Sequence, residues 1–379
     1  MTGTKRMTIV VAGRGDAAKA VMDALAVLPG VGTVRQIGQF DPLQASRQLA
    51  GTHLMVDMIG GVAPAFAACM AALAQGVACV TANPLLVATH GRVLQNAAQG
   101  QHTYFGFQAA GFGMPVAEMM MAMRPQKVTA CFTTAASMAM ARMSYRNESL
   151  AHVSAHLKMT GVDMSDWGGK VTQARAMALR ALWHSDELRG QQVPRVGVES
   201  MEPADVKRMR EFGLYPVFGA EITEDGIYTG PLAVAHGSPL LAQNARDVLL
   251  AQTELGDVVL AQDANEDQRM VGGVVADVRT FMRASKPALM QAPLRLMPMG
   301  GKAAERAYVR IPFAAREEVL AFRPEIMDER MDGDGLWQAV VAVEEIAALK
   351  LSSFGGMIFP LVGAWAPPTA GSVGLRLVG

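Results

Sequence analysis

The sequence predicts an α/β protein that opens with a doubly wound parallel sheet and continues into a separate α+β region. Three observations carry that expectation. Short apolar, β-branched runs recur at close spacing, each followed by a helix-forming stretch, which is the pattern of strand–helix–strand units in a parallel sheet. The first run, Ile9-Val10-Val11, ends in Gly13-Arg14-Gly15, where glycine lets the backbone turn sharply without a Cβ clash. Length is the third: 379 residues exceed what one hydrophobic core usually supports, so two or three domains are expected.

Composition bounds the function. Hydrophobic residues make up 51% and charged residues 18%, with 34 basic side chains balancing 34 acidic ones. Such a chain buries a core and carries no excess charge to attract nucleic acid, so a small-molecule ligand is expected. The three cysteines, Cys69, Cys79 and Cys131, lack metal-ligand spacing and cannot all pair, which suits a reducing cytoplasm without disulfides. No export segment precedes the first strand, and the most apolar stretches, residues 63–74 and 354–366, are too short and interrupted to span a bilayer. A soluble protein without a membrane partner is expected. Of 27 methionines, eight lie between Met114 and Met143 at loosely helical spacing. Met fills irregular cores and lines adaptable pockets alike.

In chain order, Gly13, Arg14 and Gly15 lead into Asp16, Ala17 and Ala18, a Gly-x-Gly-x-x-Ala turn opening a helix. Free amides at that helix start suit a pyrophosphate, and a small third residue lets helix and strand pack closely. Residues 34–40 form the second strand, with Asp41 just past its end, where a dinucleotide fold meets the adenosine ribose. An acid there would favour NAD, whereas Arg14 or Arg35 would meet a 2′-phosphate, so NAD and NADP both stay open. Residues 54–59 are the third strand, closed by Gly60-Gly61; residues 64–75 form a helix. Residues 78–81 are the fourth strand, leading into Ala82-Asn83-Pro84, and residues 103–107 the fifth. A loop at residues 111–115 then opens a methionine-rich helix.

These pieces, in order, resemble the homoserine dehydrogenase family. The resemblance rests on the glycine turn, Val56-Asp57 with Gly60-Gly61, and Val80-Thr81-Ala82-Asn83 followed by Leu86-Val87-Ala88 and His90-Gly91. Farther on it rests on Val198-Glu199-Ser200-Met201, Asp205, Phe212-Gly213, Pro231-Leu232-Ala233-Val234 and Val274-Val275-Ala276-Asp277. It implies a Rossmann-type dinucleotide domain over residues 1–130, rejoined by part of 265–290, and a substrate and dimerisation domain over 131–284. The candidate cofactor residues are then Gly13, Arg14, Gly15, Asp16, Ala17, Asp41, Gly60 and Asn83.

The departures fall where chemistry should sit. The lysine of the family's threonine-alanine-asparagine-lysine motif is Pro84 here, which carries no charge. The family's motif aspartate-x-glutamate-glycine-x-aspartate, with a lysine four residues later, aligns with Asp166, Gly168, Gly169, Val171 and Arg175. Its asparagine-glycine-threonine turn becomes Thr133-Thr134-Ala135-Ala136. An arginine can steady an oxyanion but cannot act as a base. The proton-transfer role therefore passes to Lys170, oxyanion support to Arg175, and orientation to Asp166. His90, His156 and Lys158 are the other candidates nearby. The resemblance implies an NAD(P)-dependent oxidoreductase moving a hydride between nicotinamide and a small carbonyl or alcohol. Homoserine itself fits poorly, because its amino group loses a carboxylate partner. The alternative is a catalytically silent dinucleotide-binding paralogue with a regulatory or structural role.

The remaining elements follow the same logic. Residues 145–158 read as a polar helix with His152 and His156 on one face, yet no third ligand accompanies them and no metal is expected. Residues 171–183 form an amphipathic helix, 193–199 a strand, and 203–212 a charged helix. Residues 214–222, 227–234 and 258–262 are strands, with a hairpin turn at Glu224-Asp225-Gly226. Antiparallel edges of this kind invite a second subunit, so a homodimer is expected. Residues 285–302 read as a linker. Residues 308–313, 316–331, 337–343, 344–350 and 357–361 then alternate strand and helix, resembling a degenerate ACT-like module within 303–379. Phe313-Ala314-Ala315-Arg316-Glu317 lacks the glycine turn that binds an effector in such modules.

Overall fold

The computed structural model describes residues 6–113, 116, 119–120, 123, 125–182, 195–223, 226–242, 246–263, 266–283, 305–331, 335–343, 356–362 and 365–366. The expected turn at Glu224-Asp225, the linker over 285–302, the helix over 344–350 and Met114-Pro115 lie outside them.

The chain begins with β1 Met7–Gly13, α1 Asp16–Ala26, β2 Val31–Ile37, α2 Ala45–Gln48, β3 Leu54–Met58, α3 Val62–Ala74, β4 Ala78–Thr81, α4 Pro84–Gly100, β5 Phe105–Gly106 and α5 Gln108–Gly111. Its five strands form one parallel sheet in the order β2-β1-β3-β4-β5. Ile9, Val10, Val11, Leu54, Met55 and Val56 are fully buried, as a parallel sheet covered on both faces requires.

Next come β6 Lys127–Cys131, α6 Ala135–Arg146, α7 Leu150–Met159, α8 Lys170–Ala181, α9 Pro203–Glu211, β7 Leu214–Thr223, β8 Ile227–Ala235, β9 Arg246–Thr253, β10 Gly256–Asp263 and α10 Glu266–Met282. The last stretch holds β11 Glu305–Pro312, α11 Arg316–Leu320, β12 Glu325–Met331, β13 Leu336–Val343 and β14 Met357–Val362. All these strands lie in a second sheet of order β10-β9-β6-β7-β8-β14-β11-β13-β12. Its pairs are antiparallel except β8 with β14, which run parallel at Ala233↔Leu361 and Val234↔Val362. The last four strands, in the order 4-1-3-2 of their own sequence, have the arrangement of a split β-α-β unit. They do not stand apart: Tyr308, Phe359, Leu361 and Trp365 share one core with Met140, Met209, Phe212 and Phe218.

Several expectations need correction. The methionine-rich stretch is not one helix, because β6 interrupts it and pairs with β7 and β9. The polar helix over 145–158 is two helices. Asn147, with φ 58°, ends α6 and the Ser149 hydroxyl accepts from His152 N to begin α7, a stop-and-restart that Asn and Ser favour. Of the strand expected over 193–199, the described residues 195–199 hold a bridge between Arg195 and Thr229 and the beginning of a 3-10 turn at Val198–Ser200. Residues 316–331 are a short helix and then an edge strand, not one helix. β9 was not foreseen.

α10 returns to the first sheet and packs on α1 and α5. Its Asp277, fully buried, accepts from Tyr104 Oη at 2.9 Å and Gln108 N at 2.9 Å. No helix among the described residues is long and apolar enough to cross a membrane.

Candidate functional site

The glycine turn stands at the C-terminal end of β1. Gly13 pairs with Met58 of β3, and a Cβ at Gly13 would strike the Met58 carbonyl. Only glycine fits there, the more so at φ +144°. Gly15, at φ +96°, precedes α1, offers no side-chain cap, and faces open space. The first helical hydrogen bond runs from Lys19 N to Gly15 O, so the amides of Asp16, Ala17 and Ala18 have no partner within the helix. The Asp16 carboxylate sits exposed in that first turn.

Two neighbouring strand ends complete the same edge. Gly60 faces open space, and Gly61 begins α3, again without a side-chain cap. Asn83 begins α4: its Oδ1 accepts from Leu86 N at 3.1 Å and its Nδ2 donates to Gly61 O at 3.0 Å. Pro84 takes the first helical position, where a missing N–H costs nothing. Beneath them Asp57 is 2% exposed and accepts from Ile59 N at 3.0 Å and from Thr81 Oγ1 at 2.7 Å. Burial pushes its carboxyl up to about 6 against those two bonds. The structure thus brings Gly13, Gly15, Asp16, Ala17, Gly60 and Asn83 to one edge, floored by backbone amides.

At the end of β2 the candidates divide. Asp41 Oδ1 accepts from Leu43 N at 3.0 Å, and its Oδ2 from Gln44 Nε2 at 2.8 Å, closing its own turn. Arg35 Nη2 donates to Gln48 O, Ala50 O and Thr52 Oγ1 at 3.0, 3.2 and 2.8 Å. Arg14 is exposed and lies across Gly38.

The three candidate catalytic residues do not converge. Asp166 is 4% exposed and caps α8, accepting from Val171 N at 2.6 Å and Thr172 Oγ1 at 2.5 Å. Lys170 begins α8 and is exposed, whereas Arg175 is 4% exposed. Five residues turn the helix by about 140°, so the two side chains leave it on different faces. Arg175 instead enters a cluster that spans five segments. Its Nε donates to Gly111 O at 3.1 Å, its Nη2 to Asp247 Oδ2 at 3.0 Å, and its guanidinium lies 3.8 Å over the Phe132 ring. Asp247, at the start of β9 and fully buried, also takes Arg269 Nη1 at 2.7 Å on Oδ2 and Thr133 N at 2.7 Å on Oδ1. Burial would raise its carboxyl, but the Arg175 and Arg269 guanidiniums prevail and hold it below the usual range.

Sequence reasoning missed Asp247 and Arg269. The only local signal was an acid opening an apolar strand, and its partners lie 15 to 114 residues away. His90 packs against Phe66 with the rings tilted by 31° and their centroids 4.4 Å apart, a packing contact. Among the described residues, no three metal-ligating side chains gather. Cys69 and Cys79 are free and buried, with their sulfurs 3.3 Å apart.

A five-stranded parallel sheet carrying an uncapped glycine turn, followed by a second, largely antiparallel sheet, defines a Rossmann-type α/β fold. More narrowly, it is the homoserine dehydrogenase fold. The homoserine dehydrogenase from Thiobacillus denitrificans superimposes with a TM-score of 0.75 at 17% identity, over 94% of this chain and 98% of that one. That of S. aureus at pH 7.5 gives 0.72 at 14% identity, over 95% and 100%. A hyperthermophilic archaeal homoserine dehydrogenase in complex with NADPH gives 0.61 at 18% identity, over 73% of this chain and 98% of its own. No family model and no curated protein matches the chain.

Proposed function

We propose that the chain binds a nicotinamide dinucleotide, NAD or NADP, and is an NAD(P)-dependent oxidoreductase acting on a small carbonyl or alcohol. The observation that carries the reading is the open, uncapped turn at Gly15, with Gly60 beside it, where added Cβ atoms would meet empty space. The amides of Asp16, Ala17 and Ala18 would hold the pyrophosphate, and Asn83, itself pinned to Gly61, would shape the floor near the reacting ring. A bound nicotinamide supplies hydride transfer. Pairing of two copies belongs to the same proposal, since among the described residues β10 is an end strand of the second sheet, with one row of backbone groups open.

Homoserine is a poor fit on chemical grounds. Val171 and Gly168 stand where the family has acids, and Arg175 is bound to Asp247 and Gly111. With Pro84 in place of a lysine, general acid–base assistance worth about 10²- to 10⁴-fold is lost from that position. The same observation favours a second reading, a silent paralogue that binds the dinucleotide without turnover.

The test is a fluorescence titration with NAD, NADH, NADP and NADPH, followed by homoserine and a panel of aldehydes and alcohols. Binding with turnover supports the oxidoreductase. Binding without turnover across the panel supports the silent paralogue, and absence of binding overturns the reading of the glycine turn.

A further inference from the structure

We propose that the site selects the 2′-phosphorylated dinucleotide, and that Arg14 is the residue that selects it. This rests on the reading of the glycine turn as a dinucleotide site. In a parallel sheet of this order, the adenosine end of the ligand lies over the C-terminal end of β2, and the group waiting there reads the ribose. A carboxylate favours a 2′-hydroxyl, which donates to it; a cation favours a 2′-phosphate.

The acid at this end is already engaged. Both Asp41 oxygens accept hydrogen bonds from the 3-10 turn that Asp41 opens, from Leu43 N and Gln44 Nε2. Its backbone N–H donates to Gln48 Oε1 at 3.0 Å, which anchors the residue to α2. Turning it toward a ribose would give up both of those side-chain bonds. Arg35 is engaged too, its Nη2 held by two carbonyls and a hydroxyl beside α2.

Arg14 differs. It sits between the two glycines of the turn, exposed, with no hydrogen bond or ion pair among the described residues. Its side chain crosses the backbone of Gly38, the residue after β2, so closely that a Cβ on Gly38 would lie 2.7 Å from Arg14 Nε. One end of Arg14 is therefore fixed beside the pyrophosphate turn and the other is directed over the end of β2. A guanidinium there presents paired donors that match a phosphate monoester. Gly38 is part of the device. Any side chain at 38 would displace the Arg14 head while leaving its charge in place, and Gly38 has no positive φ to strain a substitution.

The experiment measures dissociation constants for NADH and NADPH by fluorescence. Adenosine 2′,5′-bisphosphate and adenosine 5′-phosphate serve as competing fragments, at low and high salt. The wild-type chain binds NADPH at least about tenfold more tightly than NADH, and the bisphosphate more tightly than the monophosphate, with the gap narrowing in salt. Arg14→Ala weakens NADPH by about 10- to 100-fold, the worth of charge-assisted hydrogen bonds, and leaves NADH within a few-fold. Gly38→Val lowers NADPH affinity without removing charge. Equal wild-type affinity for the two dinucleotides overturns the proposal, as does an Arg14→Ala variant that weakens both alike. Failure of the wild-type chain to bind either dinucleotide overturns the dinucleotide reading itself. Arg14 is exposed, so an unchanged unfolding midpoint separates lost binding from lost folding.

Discussion

At the scale of single residues, buried charge separates positions that looked alike in the sequence. Asp247 and Asp277 are both fully buried carboxylates, yet their surroundings push them in opposite directions. The Asp247 charge is balanced by Arg175 and Arg269, so Asp247→Asn removes the negative charge facing two guanidiniums whose side chains are 5% and 11% exposed. Breaking such a pair from one side costs about 3–5 kcal/mol. A urea unfolding curve should show that loss, and an unchanged midpoint would mean the arginines find other acceptors. Asp277 faces no such cation among the described residues: burial pushes its carboxyl up to about 7, against hydrogen bonds from Tyr104, Gln108 and Ala109. Between about pH 4 and 7 the folded chain therefore holds a proton there that the unfolded chain has released, and stability falls as pH rises through that window. Measured from about pH 5 to 8, the wild-type curve should carry this slope and Asp277→Asn should lack it, whatever its absolute stability. Parallel curves would refute the assignment. Neither role was legible beforehand, because Asp277 meets residues 169 and 173 positions away.

At the scale of elements, legibility followed how local the cause of each element was. The strands at residues 54–58, 78–81 and 227–235 stood out as apolar runs bounded by turn residues. α9 declared itself through Glu202 before it and Pro203 at its first position. β6 did not: Lys-Val-Thr-Ala-Cys lies among methionines and alanines, and only its partners in β7 and β9 make it a strand. The turn after β6 shows what local chemistry does provide. The Thr134 Oγ1 accepts from Ser137 N at 3.4 Å, and Ser137 Oγ accepts from Thr134 N at 2.8 Å. That reciprocal cap starts α6 one residue after Thr133 N donates to Asp247. Removing it with Thr134→Ala should cost about 1 kcal/mol in unfolding free energy, while Thr134→Ser stays near wild type. Equal losses from both variants would place the cost in packing of the methyl group instead.

At the scale of the whole molecule, the question is whether the last four strands move as a separate module or belong to the middle of the protein. Continuity of the sheet through β8 and β14 argues for the second. So does the joint at Arg310, which is 7% exposed and forms ion pairs with Asp205 Oδ1 at 3.0 Å and Glu202 Oε2 at 2.8 Å at the start of α9. The indole of Trp365 donates to Phe212 O at 2.6 Å, and Tyr308 packs between Phe212 and Phe359. Interfaces that leave modules free to swing are more polar than this and less continuous. Arg310→Ala should therefore act on both sides of the joint at once. It leaves buried Asp205 without its cation, and desolvation already pushes that carboxyl up to about 6. Native-state hydrogen exchange tests this directly, since amides opened in one cooperative step share one free energy. In Arg310→Ala the amides of β7 and β8 should lose protection together with those of β11 and β13, by about the same amount. Loss confined to β11 and β13 would show instead that the C-terminal strands unfold on their own, as a separate module.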